Sequence, residues 1–338
     1  ELWKSDGTGA GTEMVKDIWP GSTGSYMDYL TDVNGTLFFT AGDPNGNWLW
    51  KSGGSEETTV VVSHNSHMFG YQNLTNVNGT LFFVAFAGGG SFGLELCKSD
   101  GTEAGTVMVK DINPGFMDAF LMYQEAHTFA DVNGTLFFLA TDGTNGDELW
   151  KSVGTEAGTV MVKDIQPGGG GSYPKNLTNV NGILFFTAID PNDYAMRLWK
   201  SDGTEAGTVM VSSIGRDPGP VTDVNGTLFF ADYTEPNGYE LWQTDGTVER
   251  TVMVGDIYPG PWPASSNPTE LTNINSALLF SATEGTHGRE LWIYVNWLCS
   301  EPIEGDVNND CQVDFRDFSL LASNWLSCNR KPDYLCGM

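Results

Sequence analysis

The amino-acid sequence predicts an all-β protein: a six-bladed β-propeller, with a seven-bladed one as the alternative, and a small C-terminal helical module of EF-hand type. Three observations predict it. A Glu-Leu-Trp triplet or a variant recurs seven times, with its central Leu at positions 2, 49, 96, 149, 198, 241 and 291, spacings of 43 to 53 residues. Between the copies stands a second motif, Val-Asn-Gly-Thr-Leu-Phe-Phe, and after every triplet but the last a third, of the type Thr-Val-Met-Val-Lys-Asp-Ile. A unit of this length holding four short strands is the signature of a propeller blade.

Each element of the unit has its own local reason. The first strand, of the type Leu-Thr-Asn-Val, runs into Asn-Gly, which favours a type I′ hairpin because both central residues there need positive φ. This motif stands at Val33–Phe39, Val77–Phe83, Val132–Phe138, Val180–Phe186 and Val224–Phe230, and in altered form at Ile274–Phe280. The second strand carries consecutive apolar residues, as at Leu37-Phe38-Phe39, so both of its faces must be buried; a half-solvated strand would alternate. A Gly-, Asp- and Asn-rich connection leads to the third strand, the Glu-Leu-Trp element, which closes on Asp-Gly-Thr, another turn. The Trp brings one large ring per unit to fill the space between neighbouring sheets. The fourth strand ends in Asp-Ile, usually followed by Pro-Gly.

These residues resemble a known family, the ELWxxDGT repeat of secreted bacterial proteins. Glu1-Leu2-Trp3-Lys4-Ser5-Asp6-Gly7-Thr8 is a complete copy, and residues 240–247 also fit. Residues 95–102 fit with Cys97 in the Trp position, 197–204 with Arg197 in the Glu position, and 148–155 with Val153 in the Asp position; 48–55 are the most altered. The resemblance implies a propeller over residues 1–297 and a location outside the cell or at its surface. It implies no activity, since propellers host many.

Six copies of the first, second and fourth strands and seven of the third make six blades the simple count. The last blade, Leu271–Trp292, lacks its fourth strand, and Glu13–Ile18 is expected to supply it, hiding two sheet edges. Glu1–Ser5 is then a surplus strand, a repeat fragment or one that pairs with a neighbouring subunit. The chain opens in mid-repeat with no leader, so residue 1 is expected to be a processing boundary.

Charge and composition narrow the partners. Sixteen Lys+Arg against 43 Asp+Glu give a formal net charge of −27, which argues against nucleic acid and against an anionic lipid surface. With 40% hydrophobic and 12% aromatic residues the chain is no disordered acidic tail. It contains no run of about 18 apolar residues, so no membrane insertion is expected.

Residues 299–338 form a second unit. Four of the five cysteines, Cys299, Cys311, Cys328 and Cys336, lie here, as in small secreted modules stapled by disulfides. Three pairings are open, with Cys311–Cys328 and Cys299–Cys336 preferred. Asp306, Asn308, Asp310, Asp314 and Asp317 put side-chain oxygens at loop positions 1, 3, 5, 9 and 12, with Gln312 giving a backbone carbonyl at 7. That is EF-hand spacing, and a hard cation, calcium, suits it. Apolar Phe315, Phe318, Leu321, Ala322 and Trp325 then line one helical face. The whole resembles half of a type I dockerin, with Cys311 where Gly is expected and one loop where dockerins carry two. The resemblance implies calcium as cofactor and makes cohesin docking the weaker implication.

Other candidates are fewer. Asp32, Asn76, Asp131, Asn179, Asp223 and Asn273 precede the Asn-turn of each unit and could ring a central channel, or simply cap their own hairpins. The Asp-Gly-Thr turns are expected to satisfy local amides. His64, His67, His127 and His287 share no metal-ligand spacing, and no hydrolase or P-loop motif occurs. Asn-Gly-Thr also matches the glycosylation sequon, here read as turn chemistry. Residues 116–129, 88–93 and the loop aromatics Trp19, Trp48 and Trp262 are the expected partner contacts. Together these features lead to the expectation of a non-enzymatic extracellular scaffold, self-assembling head to tail into a filament or surface layer. The alternative is a secreted polysaccharide- or protein-binding propeller, tethered through its dockerin-like module.

Overall fold

The computed structural model describes residues 1–63, 68–120, 129–260 and 263–295. The calcium-loop residues, Cys299, Cys311, Cys328 and Cys336, together with His64, His67, His127 and Trp262, lie outside the described residues. Seven antiparallel sheets follow one another along the chain. The first has two strands, β1 (Leu2–Lys4) and β2 (Glu13–Lys16). Five four-stranded sheets come next, each in simple chain order. They are β3 (Asp28–Val33), β4 (Thr36–Asp43), β5 (Gly46–Ser52) and β6 (Val60–Val61); β7 (Phe69–Val77), β8 (Thr80–Phe86), β9 (Leu94–Ser99) and β10 (Val107–Lys110); and β11 (Phe129–Val132), β12 (Thr135–Thr141), β13 (Asp147–Ser152) and β14 (Val160–Lys163). The fifth and sixth sheets are β15 (Lys175–Val180), β16 (Ile183–Ile189), β17 (Met196–Ser201) and β18 (Val209–Ser212), then β19 (Thr222–Val224), β20 (Thr227–Thr234), β21 (Gly238–Thr244) and β22 (Val252–Gly255). The seventh has three strands, β23 (Thr269–Ile274), β24 (Ala277–Glu284) and β25 (Gly288–Val295). First strands of neighbouring sheets touch, β3 with β7, β7 with β11, β11 with β15 and β19 with β23. The protein is all-β, and its architecture is consistent with a β-propeller.

The expected splice of the last sheet is not made. Glu13–Lys16 pairs with Leu2–Lys4, with Trp3 opposite Met14, and β25 has β24 as its one strand neighbour among the described residues. The physical reason is local. The Asp6-Gly7-Thr8 turn already holds β1 beside β2, and closing a short hairpin costs less chain entropy than closing nearly the whole chain. The surplus strand is therefore paired within its own chain.

Asn-Gly does what its conformational freedom predicts. Asn34 and Gly35 take φ of +53° and +80°, and the pairs at 78/79, 133/134, 181/182 and 225/226 repeat this, both residues left-handed as a type I′ turn demands. The double apolar strand is buried on both faces. Phe39 packs with Leu2, Val15 and Trp50 toward the first sheet, while Phe38 packs with Leu81, Phe83 and Cys97 toward the third. Phe137 and Phe138, Phe185 and Phe186, and Phe229 and Phe230 divide between neighbouring cores in the same way. Cys97, in a Trp position, is a fully buried thiol whose pKa burial pushes up.

A polar joint accompanies the apolar one at five of the six joints; in the sixth sheet Gln243 stands in the Lys position. The ammonium groups of Lys4, Lys51, Lys98, Lys151 and Lys200 donate to the turn carbonyls of Gly54, Gly101, Gly154, Gly203 and Gly246 in the following sheet, at 2.7–3.1 Å. At Gly203 the backbone is left-handed (φ +86°) and a Cβ would stand 3.1 Å from Cζ of Phe137 across the joint. Gly203→Ala is therefore expected to cost about 1–3 kcal/mol. Gly7→Ala meets the same backbone penalty (φ +90°) but has nothing within 4 Å, so it should cost less. Urea denaturation of the two variants checks this, and equal losses would mean that the ring contact contributes nothing.

Candidate functional site

The two ends of the sheets differ. At one end lie the Asn-Gly hairpins and the Asp-Gly-Thr turns, and their polar groups are spent locally. Asp32, Asn76, Asp131, Asn179, Asp223 and Asn273 each accept the amide three residues on, at 2.8–3.2 Å. Asn76, Asn179 and Asn273 also donate to the backbone carbonyls of Asp32, Asp131 and Asp223 in the preceding sheet, at 2.8–2.9 Å. The six are thus hairpin caps and strand bridges. In the Asp-Gly-Thr turns, the Thr hydroxyls and amides hold the carboxyls of Asp6, Asp100, Asp202 and Asp245 below the usual carboxylate value.

The other end gathers the connections between second and third strands and the loops between sheets. Its anchor is the Glu of the triplet. Glu1, Glu95, Glu148 and Glu240 accept the amides of Ile18, Ile112, Ile165 and Ile257 at 2.8–3.0 Å, fastening the exit of the outer strand. Glu148 and Glu240 also bind the amide and hydroxyl of Ser172 and Ser266, tying down the loop that enters the next sheet. Glu95, Glu148 and Glu240 are 0% exposed, and burial without a cation raises the carboxyl of Glu148 and lifts that of Glu95 to about 8.

One joint reverses this chemistry. Arg197 stands where five of the other sheets have Glu and the second has Trp48, and Asp232 stands where every other sheet with that strand has a fully buried Ala (Ala41, Ala85, Ala140, Ala188 and Ala282). Both are buried. Arg197 pairs with Asp193 at 2.5 Å, and its Nε and Nη1 have no partner among the described residues. Asp232 now holds the loop, accepting the amides of Arg216, Asp217 and Tyr233 at 2.8–3.1 Å. Burial pushes its carboxyl up to about 6, against those three amides and the charge of Arg197.

The loop so held ends in Pro218-Gly219-Pro220, and a proline cannot donate to a ladder. β19 accordingly has 3 residues where β15 and β23 have 6. The space it leaves between those innermost strands is a cavity of about 650 Å³. Asn176, Asp217, Thr222, Tyr239, Asn267 and Glu270 bring polar groups to its wall, and Ala231, Leu271 and the prolines supply apolar surface. Tyr239 Oη donates to Asp217 Oδ2 at 2.5 Å, and that bond raises the phenol to about 12. Asn176 and Glu270 sit at β-bulges with φ of +56° and +57°, a strained setting for residues other than Gly. A concave, part-apolar cavity with a few convergent polar groups is what a ligand site looks like.

The expected contact residues fare differently. Trp19 is half-buried against Gly42, and Trp48 donates to Asp43 Oδ1 at 3.1 Å; both are used locally. Phe116 is exposed, whereas Phe120 in the same connection is buried against Phe129 and Phe138. The sequence points to none of the cavity residues as a ligand contact; Asn176 stands out only as the Asn-Leu-Thr sequon, read as turn chemistry. The available signal was the paired departure from the repeat at Arg197 and Asp232, beside Pro-Gly-Pro.

No protein-family model and no curated protein matches the chain. Solved structures do resemble it. Puromycin hydrolase is 14% identical, with 82% of this chain and 47% of that one aligned at a TM-score of 0.43. For prolyl oligopeptidase B from Galerina marginata the figures are 11%, 80%, 42% and 0.48, and for the AtxE2 isopeptidase 15%, 73%, 43% and 0.31. The chain spans less than half the length of each. Those proteins are hydrolases and peptidases, and the expectation of a non-enzymatic, self-assembling scaffold is corrected accordingly. The surplus strand that prompted the filament is also paired at home. At these identities and TM-scores the likeness assigns no activity to this chain.

Two measurements probe the loop end. Glu95 keeps its proton up to about pH 8 when folded, against an ordinary 4.5, so the folded state binds more protons across that window. Its contribution to stability is full below 4.5 and is lost as pH rises toward 8. Thermal melts should show that decline, and Glu95→Gln should flatten it. At the reversed joint, Arg197→Glu is expected to cost about 3–5 kcal/mol by placing two carboxylates together. Adding Asp232→Ala, which restores the pattern of the other sheets, should recover most of the loss; additive losses in a double-mutant cycle would refute the pairing.

Proposed function

We propose that the protein is an extracellular ligand-binding β-propeller of the ELWxxDGT type that takes a segment of another macromolecule into its loop-end cavity. The observation that carries this reading is the cavity itself, at the one joint where the repeat chemistry is reversed and the innermost strand cut short. Departures from local rules concentrate where function requires them, and loops on a rigid repeat scaffold are where binding residues collect. The seven sheets support seven blade positions rather than six, because β2 pairs with β1 and is not available to the last sheet. Residues 299–338 are proposed as a half-dockerin-like, disulfide-stapled module holding calcium through Asp306, Asn308, Asp310, Gln312, Asp314 and Asp317.

Leu271→Trp fills the cavity and leaves the buried anchors untouched. Probed on peptide and glycan arrays beside the unaltered protein, it should lose the ligands that the unaltered protein retains. Retention of every ligand by the filled variant would refute the reading. For the C-terminal module, titration calorimetry should show one calcium bound per chain. Asp306→Ala should weaken binding at least tenfold, since it removes the position 1 ligand.

A further inference from the structure

We propose that the cavity recognises a lysine side chain on an extended peptide segment; this rests on the binding reading above. Two carboxylates, Asp217 and Glu270, stand in the cavity wall, and no Lys, Arg or His is among the residues that line it. Two of the cations nearby are already engaged. Arg197 pairs with Asp193, while Arg289 donates to Thr269 Oγ1 and the carbonyl of Ser281. Arg216 contributes its charge on the Asp193 side.

The walls suit the rest of such a ligand. Tyr239 lines the wall, and an aromatic ring attracts an ammonium through its quadrupole. Its hydroxyl is turned onto Asp217 and orients that carboxylate. Leu271, Pro218 and Pro268 meet the apolar stem of a lysine, which buries its methylenes while its charged end seeks a partner. The carboxamide oxygens of Asn176 and Asn267 accept no hydrogen bond among the described residues, and an amide is what a peptide main chain offers them. At about 650 Å³ the cavity has room for the side chain and adjoining backbone. The net charge of −27 draws a cationic segment toward it from a distance.

The test uses three acetylated, amidated peptides, Gly-Gly-X-Gly-Gly with X as lysine, norleucine or glutamate, each titrated by fluorescence anisotropy against the full chain. The lysine peptide should bind at least about tenfold more tightly than the norleucine one, and the gap should shrink as salt is raised, since exposed charges are screened. Asp217→Asn and Glu270→Gln should each weaken lysine-peptide binding by about threefold or more and leave the norleucine peptide unaffected. Both positions are exposed, and melting curves establish that the variants fold. Equal binding of the lysine and norleucine peptides, or no binding of any of the three, would overturn the proposal. The cavity-filling variant on the arrays reports separately whether the cavity is a ligand site at all.

Discussion

A strand with apolar side chains on both faces cannot be finished by its own sheet. Leu37-Phe38-Phe39 and its four full counterparts impose this constraint on every repeat, and the rest of the molecule answers it. Burying a Phe is worth about 1.5–3 kcal/mol, so each joint between sheets is held mainly by the rings that cross it. What those rings leave open is the relative placement of the sheets, because hydrophobic attraction has no direction. The lysine bridges supply the direction. Each fixes one sheet against a single carbonyl of the next, and at Gly101, Gly154, Gly203 and Gly246 the glycine that presents this carbonyl lies against the Phe of the sheet from which the lysine comes. Apolar and polar contacts therefore depend on each other at one place.

The two ends of the sheets divide the labour. The turn end is short, uniform and self-satisfied, with its Asp and Asn side chains spent on their own hairpins. The loop end varies in length and composition from joint to joint, yet Glu1, Glu95, Glu148, Glu240 and Asp232 each fasten a loop at its root. The cavity opens there beside β19, which is three residues shorter than β15 and β23. The reversed pair at Arg197 and Asp232 keeps the loop fastened where the usual Glu is missing, and so the cavity has a firm floor.

Much of this was legible in the residues. Asn-Gly forced the hairpins, consecutive Phe forced the stacking, and the period forced the repeat. Pairing was less legible: counting strands says how many there are and not which edge each one chooses, so Glu13–Lys16 was expected on the wrong sheet. The place of the triplet Glu as a buried anchor depends on amides 17 residues on that no local pattern announces. Trp19 and Trp48 are expected as contacts because they are large and aromatic, yet each has a neighbour within the chain, Gly42 for Trp19 and Asp43 for Trp48. The cavity left no motif at all. It is made of residues that are absent from a strand, and only an alignment of the repeats on one another brings Arg197 and Asp232 forward as a matched departure.

The lysine bridges carry a consequence for how such a chain can change. The donor sits in one repeat and its acceptor in the next, so neither repeat is a self-sufficient unit of inheritance. A duplication that copies whole repeats carries the latch of one and the catch of another, and it preserves both only if every copy keeps both. Drift in one repeat is felt by its neighbour, which holds the sequences alike without any selection on function. The exception is a joint that changes on both sides at once. Arg197 and Asp232 lie on opposite sides of such a joint, and it is there that the chain has become free to differ.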